Sequence, residues 1–504
     1  VIKVGPVEVI HRSTCHGERP YAAERLVQFR KLDPTNRPAP FKRYPDIEAM
    51  ELPRQLVASS LPATRVLAGK LGESSPLDLN LLGSILFLAA GVSRVRNGNE
   101  PISSHRTAMS AGNLHPTEIY VLHEGLWHYQ PLEHALVPLR PASEAGGGAG
   151  ALLVLTGIPW RTCWKYRERG WRHLFWDAGT MAANVLEVAA AHGVPARVEY
   201  GFDDDAVSQL AGLVPEEELP VVLIRLGADD VVVPQAGSLP TLDAEVNPIA
   251  PHPIRFPLLE EAHAAGNLTG TELDEWRRSA ARFLRHSHQS AGRAAMSGSG
   301  ESTIEEVVLQ RGSTRAFVEK AGSGDLLEWS LAAATRSVPS DVGSGGTFLG
   351  HYLSIHAIDD QPSGRARWRE PSGLEWLGRA ASPSEERALS AHLCLDQKLG
   401  GSSAYTAFHC CDVAPFFHHE AGARAYRAAQ LEAGVVAGRL ALCAFALDAG
   451  ATGLTFFDHE VSTQFGTPET PMLATAIGIR VGSPVRGGSP GNPAALRPRT
   501  VRHR

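Results

Sequence analysis

A C-x-x-C pair, a regular cysteine spacing, an excess of positive charge and a long apolar run are all missing from this 504-residue sequence. Its six cysteines, Cys15, Cys163, Cys394, Cys410, Cys411 and Cys443, are too few and too irregular for a disulfide framework, which fits a reducing cytoplasm. Lys and Arg number 48 against 54 Asp and Glu, and the net charge of -6 gives no general electrostatic reason to bind nucleic acid or an anionic membrane. The longest apolar run, "SILFLAAGV" at 84–92, is about half a bilayer span, and "VIKVGPVEVIHRST" at the start lacks the apolar core of a signal peptide, so no membrane segment is expected. A dinucleotide fingerprint is absent too, and "VGSGG" from Val342 lacks the Lys-Ser/Thr of a phosphate loop.

What is present is an ordinary globular composition, 43% hydrophobic and 20% charged, on a chain long enough for two or more domains. It also contains a repeat. "WRHLFWDAG" (171–179) lines up with "YRAAQLEAG" (426–434) at a separation of 255 residues, and the same separation sets Phe202-Asp203 against Phe457-Asp458 and "IRLG" (224–227) against "IRVG" (479–482). Each block reads as an Ala- and Leu-rich helix closed by glycine, then a short β-branched strand. Upstream the separation drifts: "LLGSILFLAA" from Leu81 resembles "LLEWSLAAAT" from Leu326, and Ser110-Ala111-Gly112 is set against Ser344-Gly345-Gly346. The expected division is an extension over 1–70, a first α+β unit over 71–245, a helical and Gly/Ser-rich linker over 246–300, a second unit over 301–484 and a disordered tail over 485–504.

Within the first unit, Arg106 precedes the small turn Ser110-Ala111-Gly112, which leads into a strand-like run ending Tyr120-Val121-Leu122. Small residues let a backbone approach a ligand, and an arginine suits an anionic end of that ligand. By itself the turn also reads as an ordinary loop. "HCCDVAPFFHH" at 409–419 clusters thiols and imidazoles, but Cys410 and Cys411 would face opposite sides of a strand and no second C-x-x-C completes a tetrahedral set, so no metal site is expected.

Taken in order, these residues resemble the nitroreductase-like flavin dehydrogenases of the SagB and McbC type, which oxidise azolines in ribosomal peptides. The resemblance is carried by Arg106 with Ser110-Ala111-Gly112, "GLWHYQPLEHAL" from Gly125, Lys165-Tyr166, Arg169-Gly170, the Gly-led helix "DAGTMAANVLEVAA" and Gly201-Phe202-Asp203-Asp204. The second unit matches more faintly but carries Arg311-Gly312-Ser313-Thr314-Arg315-Ala316-Phe317, similar to the nitroreductase segment that holds the phosphate and ribityl chain of FMN. Guanidinium groups pair with phosphate in two-point geometry, and a serine hydroxyl adds a donor. In the first unit the corresponding segment is read as "LPATRVL", with Leu61 in place of Arg311 and only Arg65 kept.

The resemblance implies an α+β fold in which two tandem nitroreductase-like units pack as an intramolecular pseudo-dimer with FMN at the interface. It implies cofactor contacts from Arg106, Ser110, Ala111, Gly112, Gly201 and Phe202 of the first unit and Arg311, Ser313 and Arg315 of the second, with the opposite site empty. It further implies catalysis by Lys165 as base and Tyr166 as its partner, a pair with Glu420 and Ala421 at the equivalent positions. A lysine desolvated in a flavin pocket would have its pKa lowered toward neutrality. Without the family context, Lys165-Tyr166 also fits a solvated basic face with the aromatics packed inward. The expected activity is oxidation of thiazoline or oxazoline rings in a precursor peptide, beside a cyclodehydratase and with oxygen as terminal oxidant. The alternatives are an NAD(P)H-dependent flavin reductase of nitro, quinone or dehydroamino acid substrates, and a non-catalytic scaffold of a peptide-modifying complex.

Overall fold

The computed structural model describes residues 4–17, 32–96, 103–286, 301–343 and 345–496. Two antiparallel sheets dominate it. In the first, the strands run in the order Met50–Glu51, Ala135–Pro141, Gly125–Gln130, Thr117–Leu122, Ala151–Gly157, Leu219–Leu226, Ala196–Glu199. In the second the order is Gly373–Arg379, Gly364–Arg369, Gly350–Ile355, Tyr405–Cys411, Thr470–Gly478, Gly450–Leu454. Leaving out the short edge strand Met50–Glu51, the two orders are the same. Both also carry a register shift in the central ladder, between Leu155 and Thr156 in one sheet and His409 and Cys410 in the other.

Two long helices, Gly170–Ala191 and Gly422–Ala446, form the centre. The second is apolar and long enough to cross a membrane by composition, yet its apolar stretch is buried inside the fold. They cross at Gly179 and Gly434, where a Cβ on Gly179 would lie 2.8 Å from Gly434 Cα and one on Gly434 would lie 3.0 Å from Gly179 Cα. Reciprocal ion pairs flank the crossing: Arg169 and Arg172 reach Asp458 at 3.1 and 2.8 Å, while Arg424 and Arg427 reach Asp204 at 2.7 and 3.4 Å. Each arginine of one pair stands 255 residues from its counterpart in the other and the two aspartates stand 254 apart, so the same contact is made twice with the halves exchanged, and Asp458 corresponds to Asp204 rather than to Asp203. Such self-complementary exchange is how two-fold related surfaces meet.

Reciprocity also corrects two sequence alignments. The ladders place Ala196 opposite Leu226 and Ala451 opposite Ile477, so Leu226 corresponds to Ile477 and Gly227 falls at Gly478 rather than Gly482. The cause is a shorter loop between helix Asp458–Phe465 and the last strand. Likewise Arg94 Nη2 donates to Leu309 O at 2.5 Å and Arg336 Nε donates to Leu67 O at 3.1 Å. The arginines and the leucines are each 242 residues apart, and the bridge between Pro62 and Thr303 spans 241, so the segment Arg311 to Arg315 corresponds to a stretch within 69–74, "GKLGES". That stretch contains no arginine, and Leu61 and Arg65 are not the counterparts of Arg311 and Arg315.

The tail differs from expectation as well. Residues 485–496 are placed, and Ala494–Leu496 pairs in parallel with Val92–Arg96, itself antiparallel to Ser103–Arg106. At the other end, helix Pro6–Ser13 binds the second half through His11 Nδ1 and Tyr426 Oη, 2.9 Å apart.

Candidate functional site

Strand Ser103–Arg106 delivers the chain to the turn predicted to hold a ligand. Arg106 is buried and donates to Thr117 O at 3.1 Å and Pro40 O at 3.2 Å, so most of its guanidinium braces the loop around the turn. Ser110 Oγ donates to Asp177 Oδ2 at 2.6 Å, Ala111 N donates to Asp177 Oδ1 at 3.1 Å, and His115 N donates to Ser110 Oγ at 2.8 Å. Gly112 follows with φ of 63°, a left-handed conformation that glycine adopts without steric cost. A Cβ there would stand 2.7 Å from Tyr166 Oη and 3.2 Å from Lys165 Nζ. The glycine is thus what lets the Lys-Tyr pair close on the turn.

Lys165 and Tyr166 end the helix Pro159–Tyr166. The Tyr166 ring stacks on His173 at 4.3 Å, and Lys165 Nζ lies 5.1 Å from the Tyr166 ring centre. Burial and then the nearby Asp177 carboxylate push the Tyr166 phenol up to about 12, so it stays protonated at neutral pH. Lys165 is exposed. The fold by itself thus leaves this lysine exposed rather than desolvated, at the edge of the cavity beside Gly112 and the Tyr166 ring.

The second half supplies the facing wall. Arg311 is buried and reaches across to the first half, its Nε 3.0 Å and Nη2 2.6 Å from Thr107 O. Ser313 Oγ sits 2.9 Å from Thr452 Oγ1. Ser110, Gly112, Lys165, Tyr166, Arg311, Ser313 and Arg315 line one cavity of about 710 Å³, within the size range of cofactor sites. Gly453, Leu454, Thr455 and Arg480 complete its floor.

Gly201 and Phe202 are not among the lining residues. Phe202 packs beneath the Arg424 guanidinium, 3.9 Å from its carbon to the ring centre, and belongs to a separate apolar cluster with Tyr120, Leu122 and Val207. Gly201 N donates to Asp341 Oδ2 at 3.0 Å, in the other half. Their assignment as cofactor contacts is thus corrected: they lie off the cavity, and in the other half it is Leu454 and Thr455, just before Phe456, the counterpart of Phe202, that line it. Ser344 lies outside the described residues.

Three lining residues escaped the sequence reading. His173, Asp177 and Thr180 fall at helical spacing on one face of Gly170–Ala191, and their positions 255 residues on hold Ala428, Glu432 and Val435. Polar residues on one face of a mostly apolar helix, two of them with no polar counterpart in the other half, were the available signal. Burial raises the Asp177 carboxyl to about 7 against the two hydrogen bonds it accepts. His173 is 4% exposed, both of its ring nitrogens lack a partner among the described residues, and burial with Arg169 and Arg172 nearby keeps it neutral. An orphaned imidazole facing a cavity, a glycine cradle, an aromatic wall and an arginine with a serine opposite fit a flat cofactor with an anionic arm.

These features define an α+β protein whose candidate site is built jointly by two halves of like topology. The sequence profile of the nitroreductase family matches residues 73–228. Methanocaldococcus jannaschii MJ1384, assigned as a nitroreductase, is 30% identical over 175 residues, 31% of this chain and 82% of that protein. The chain belongs to the nitroreductase family, whose members bind flavin. The microcin B17-processing protein McbC of Escherichia coli is 28% identical over 152 residues, which are 25% of this chain and 56% of McbC. A crystal structure from Anabaena variabilis, also assigned as a nitroreductase, covers 95% of this chain and 100% of its own with a TM-score of 0.69 at 20% identity, a likeness of fold.

Proposed function

We propose that this chain is an FMN-dependent dehydrogenase that oxidises thiazoline or oxazoline rings of a ribosomally made precursor peptide to thiazoles or oxazoles. In this reading the units at 71–245 and 301–484, joined by 246–300, act as an intramolecular pseudo-dimer around the flavin. The observation that carries it is the meeting of Lys165-Tyr166 and the Ser110-Ala111-Gly112 turn with Ser313 and Arg315 on one cavity. The similarity to McbC supports the peptide substrate over other flavin chemistry.

Arg315 and Ser313 would hold the phosphate arm, and Gly112 would let the ring approach the backbone. When bound, the flavin supplies the hydride acceptor. Lys165 takes the proton from the ring carbon alpha to the carbonyl, and since the fold leaves this lysine exposed, the covering peptide provides its desolvation. The protonated Tyr166 phenol, fixed by its stack on His173, orients that exchange. Azolines arise by cyclodehydration of Cys, Ser or Thr side chains, so a cyclodehydratase is the partner this chemistry requires.

The relationship to MJ1384 favours a second reading, an NAD(P)H-dependent flavin reductase of nitro, quinone or dehydroamino acid substrates. Anaerobic mixing separates the two. An azoline peptide should bleach the flavin absorbance band without any nicotinamide. Bleaching by NAD(P)H alone, with the peptide inert, would overturn the proposal, and a protein that never takes up flavin would leave only the scaffold reading.

A further inference from the structure

We infer that the place related to this cavity by the exchange of halves is filled by the chain's own inter-half segment, so that each chain carries one flavin; the inference rests on the reading of the cavity as a flavin site. The two places can be matched residue by residue. Asp177 receives Ser110 Oγ and Ala111 N. Its counterpart 255 residues on, Glu432, receives Thr347 Oγ1 and Phe348 N, the latter at 3.1 Å. Thr347-Phe348 is thus the counterpart of Ser110-Ala111, and Ala421 is the counterpart of Tyr166.

Where the first turn faces a cavity, the second faces protein. Strand Arg285–His286 pairs antiparallel with Gly346–Thr347 and lies directly on that turn. Leu284 packs so closely that a Cβ on Gly346 would come within 2.7 Å of its Cβ, and one on Gly343 within 2.8 Å of its Cδ1. Trp276, 3% exposed on helix Leu273–Ala280, donates from Nε1 to Ala421 O at 3.2 Å, at the position of the missing Tyr166. The counterpart of the cavity floor is covered as well. Asp341 accepts from Tyr200 N at 2.8 Å and Gly201 N at 3.0 Å, and Arg277 bridges Asp341 and Gly201 O at 3.0 and 3.1 Å.

The arginines have gone from the same side, since none occurs in the stretch 69–74 that stands where the other half has Arg311 to Arg315. Loss of the ligand groups and filling of the space point the same way. The segment expected from sequence to be a linker with an empty site beside it is in this account a permanent plug.

Two measurements on the full chain test this. Apoprotein titrated with FMN and followed by flavin fluorescence should saturate at one equivalent, and Ser313→Ala with Arg315→Ala should remove nearly all of that binding rather than half. Saturation at two equivalents, or a double variant that keeps one, would overturn the inference while leaving the flavin reading intact; no uptake by the native chain would end both. In amide hydrogen exchange, FMN should slow residues 107–115 and 311–317 and leave 273–286 unchanged. Release or protection of 273–286 at saturating FMN would also overturn it.

Discussion

At Gly112 the backbone turns left-handed beneath the Tyr166 hydroxyl, and any side chain would both strain the turn and push that hydroxyl away. Gly112→Ala is expected to cost about 1–2 kcal/mol in stability and to weaken flavin retention, read from the denaturation midpoint and the flavin content after gel filtration. Lys165→Ala should abolish azoline oxidation and leave flavin content unchanged; retained turnover would remove Lys165 from the mechanism. Asp177 adds a pH signature. Its folded-state pKa is raised from 3.8 to about 7, so the native state holds a proton that the unfolded chain has released. The resulting stability is fully present below about pH 4 and is lost as pH rises through 7. Asp177→Asn does not titrate, so its deficit against the native protein should shrink between about pH 5 and pH 8 in chemical denaturation; a deficit independent of pH would contradict the burial of that carboxyl.

At the scale of elements, the two long helices are held by close approach and by crossed charge. Gly179→Ala places a methyl against the facing Gly434 and should destabilise by about 1–3 kcal/mol through overpacking. Asp458→Ala leaves Arg169 and Arg172 buried without their carboxylate, and a loss on the order of 3–5 kcal/mol is expected in denaturant titration. Asp204→Ala should behave alike, because the same contact recurs with the halves exchanged. These helices were legible in the sequence through Ala- and Leu-rich runs closed by glycine. The ion pairs across them were not, since each joins residues more than two hundred positions apart. Loop length misled the last-strand alignment, and a stretch of low similarity misplaced the counterpart of Arg311 until Arg94 and Arg336 fixed the register.

For the whole molecule, the sequence repeat and the shared strand order agree, and the motifs from the two halves that looked incomplete alone meet on one cavity. The contribution of Gly201 and Phe202 was misread because a segment shared by both halves reaches the cavity in only one of them. His173 and Asp177 went unnoticed because an imidazole or a carboxyl in a mostly apolar helix carries no motif; only their place on a shared space gives them meaning. The most direct test of the account is mass spectrometry of an azoline-bearing peptide incubated aerobically with the FMN-loaded chain. Loss of two hydrogens per ring, absent with Lys165→Ala, is the predicted result. An unchanged peptide mass in the presence of fully flavin-loaded native protein would contradict it.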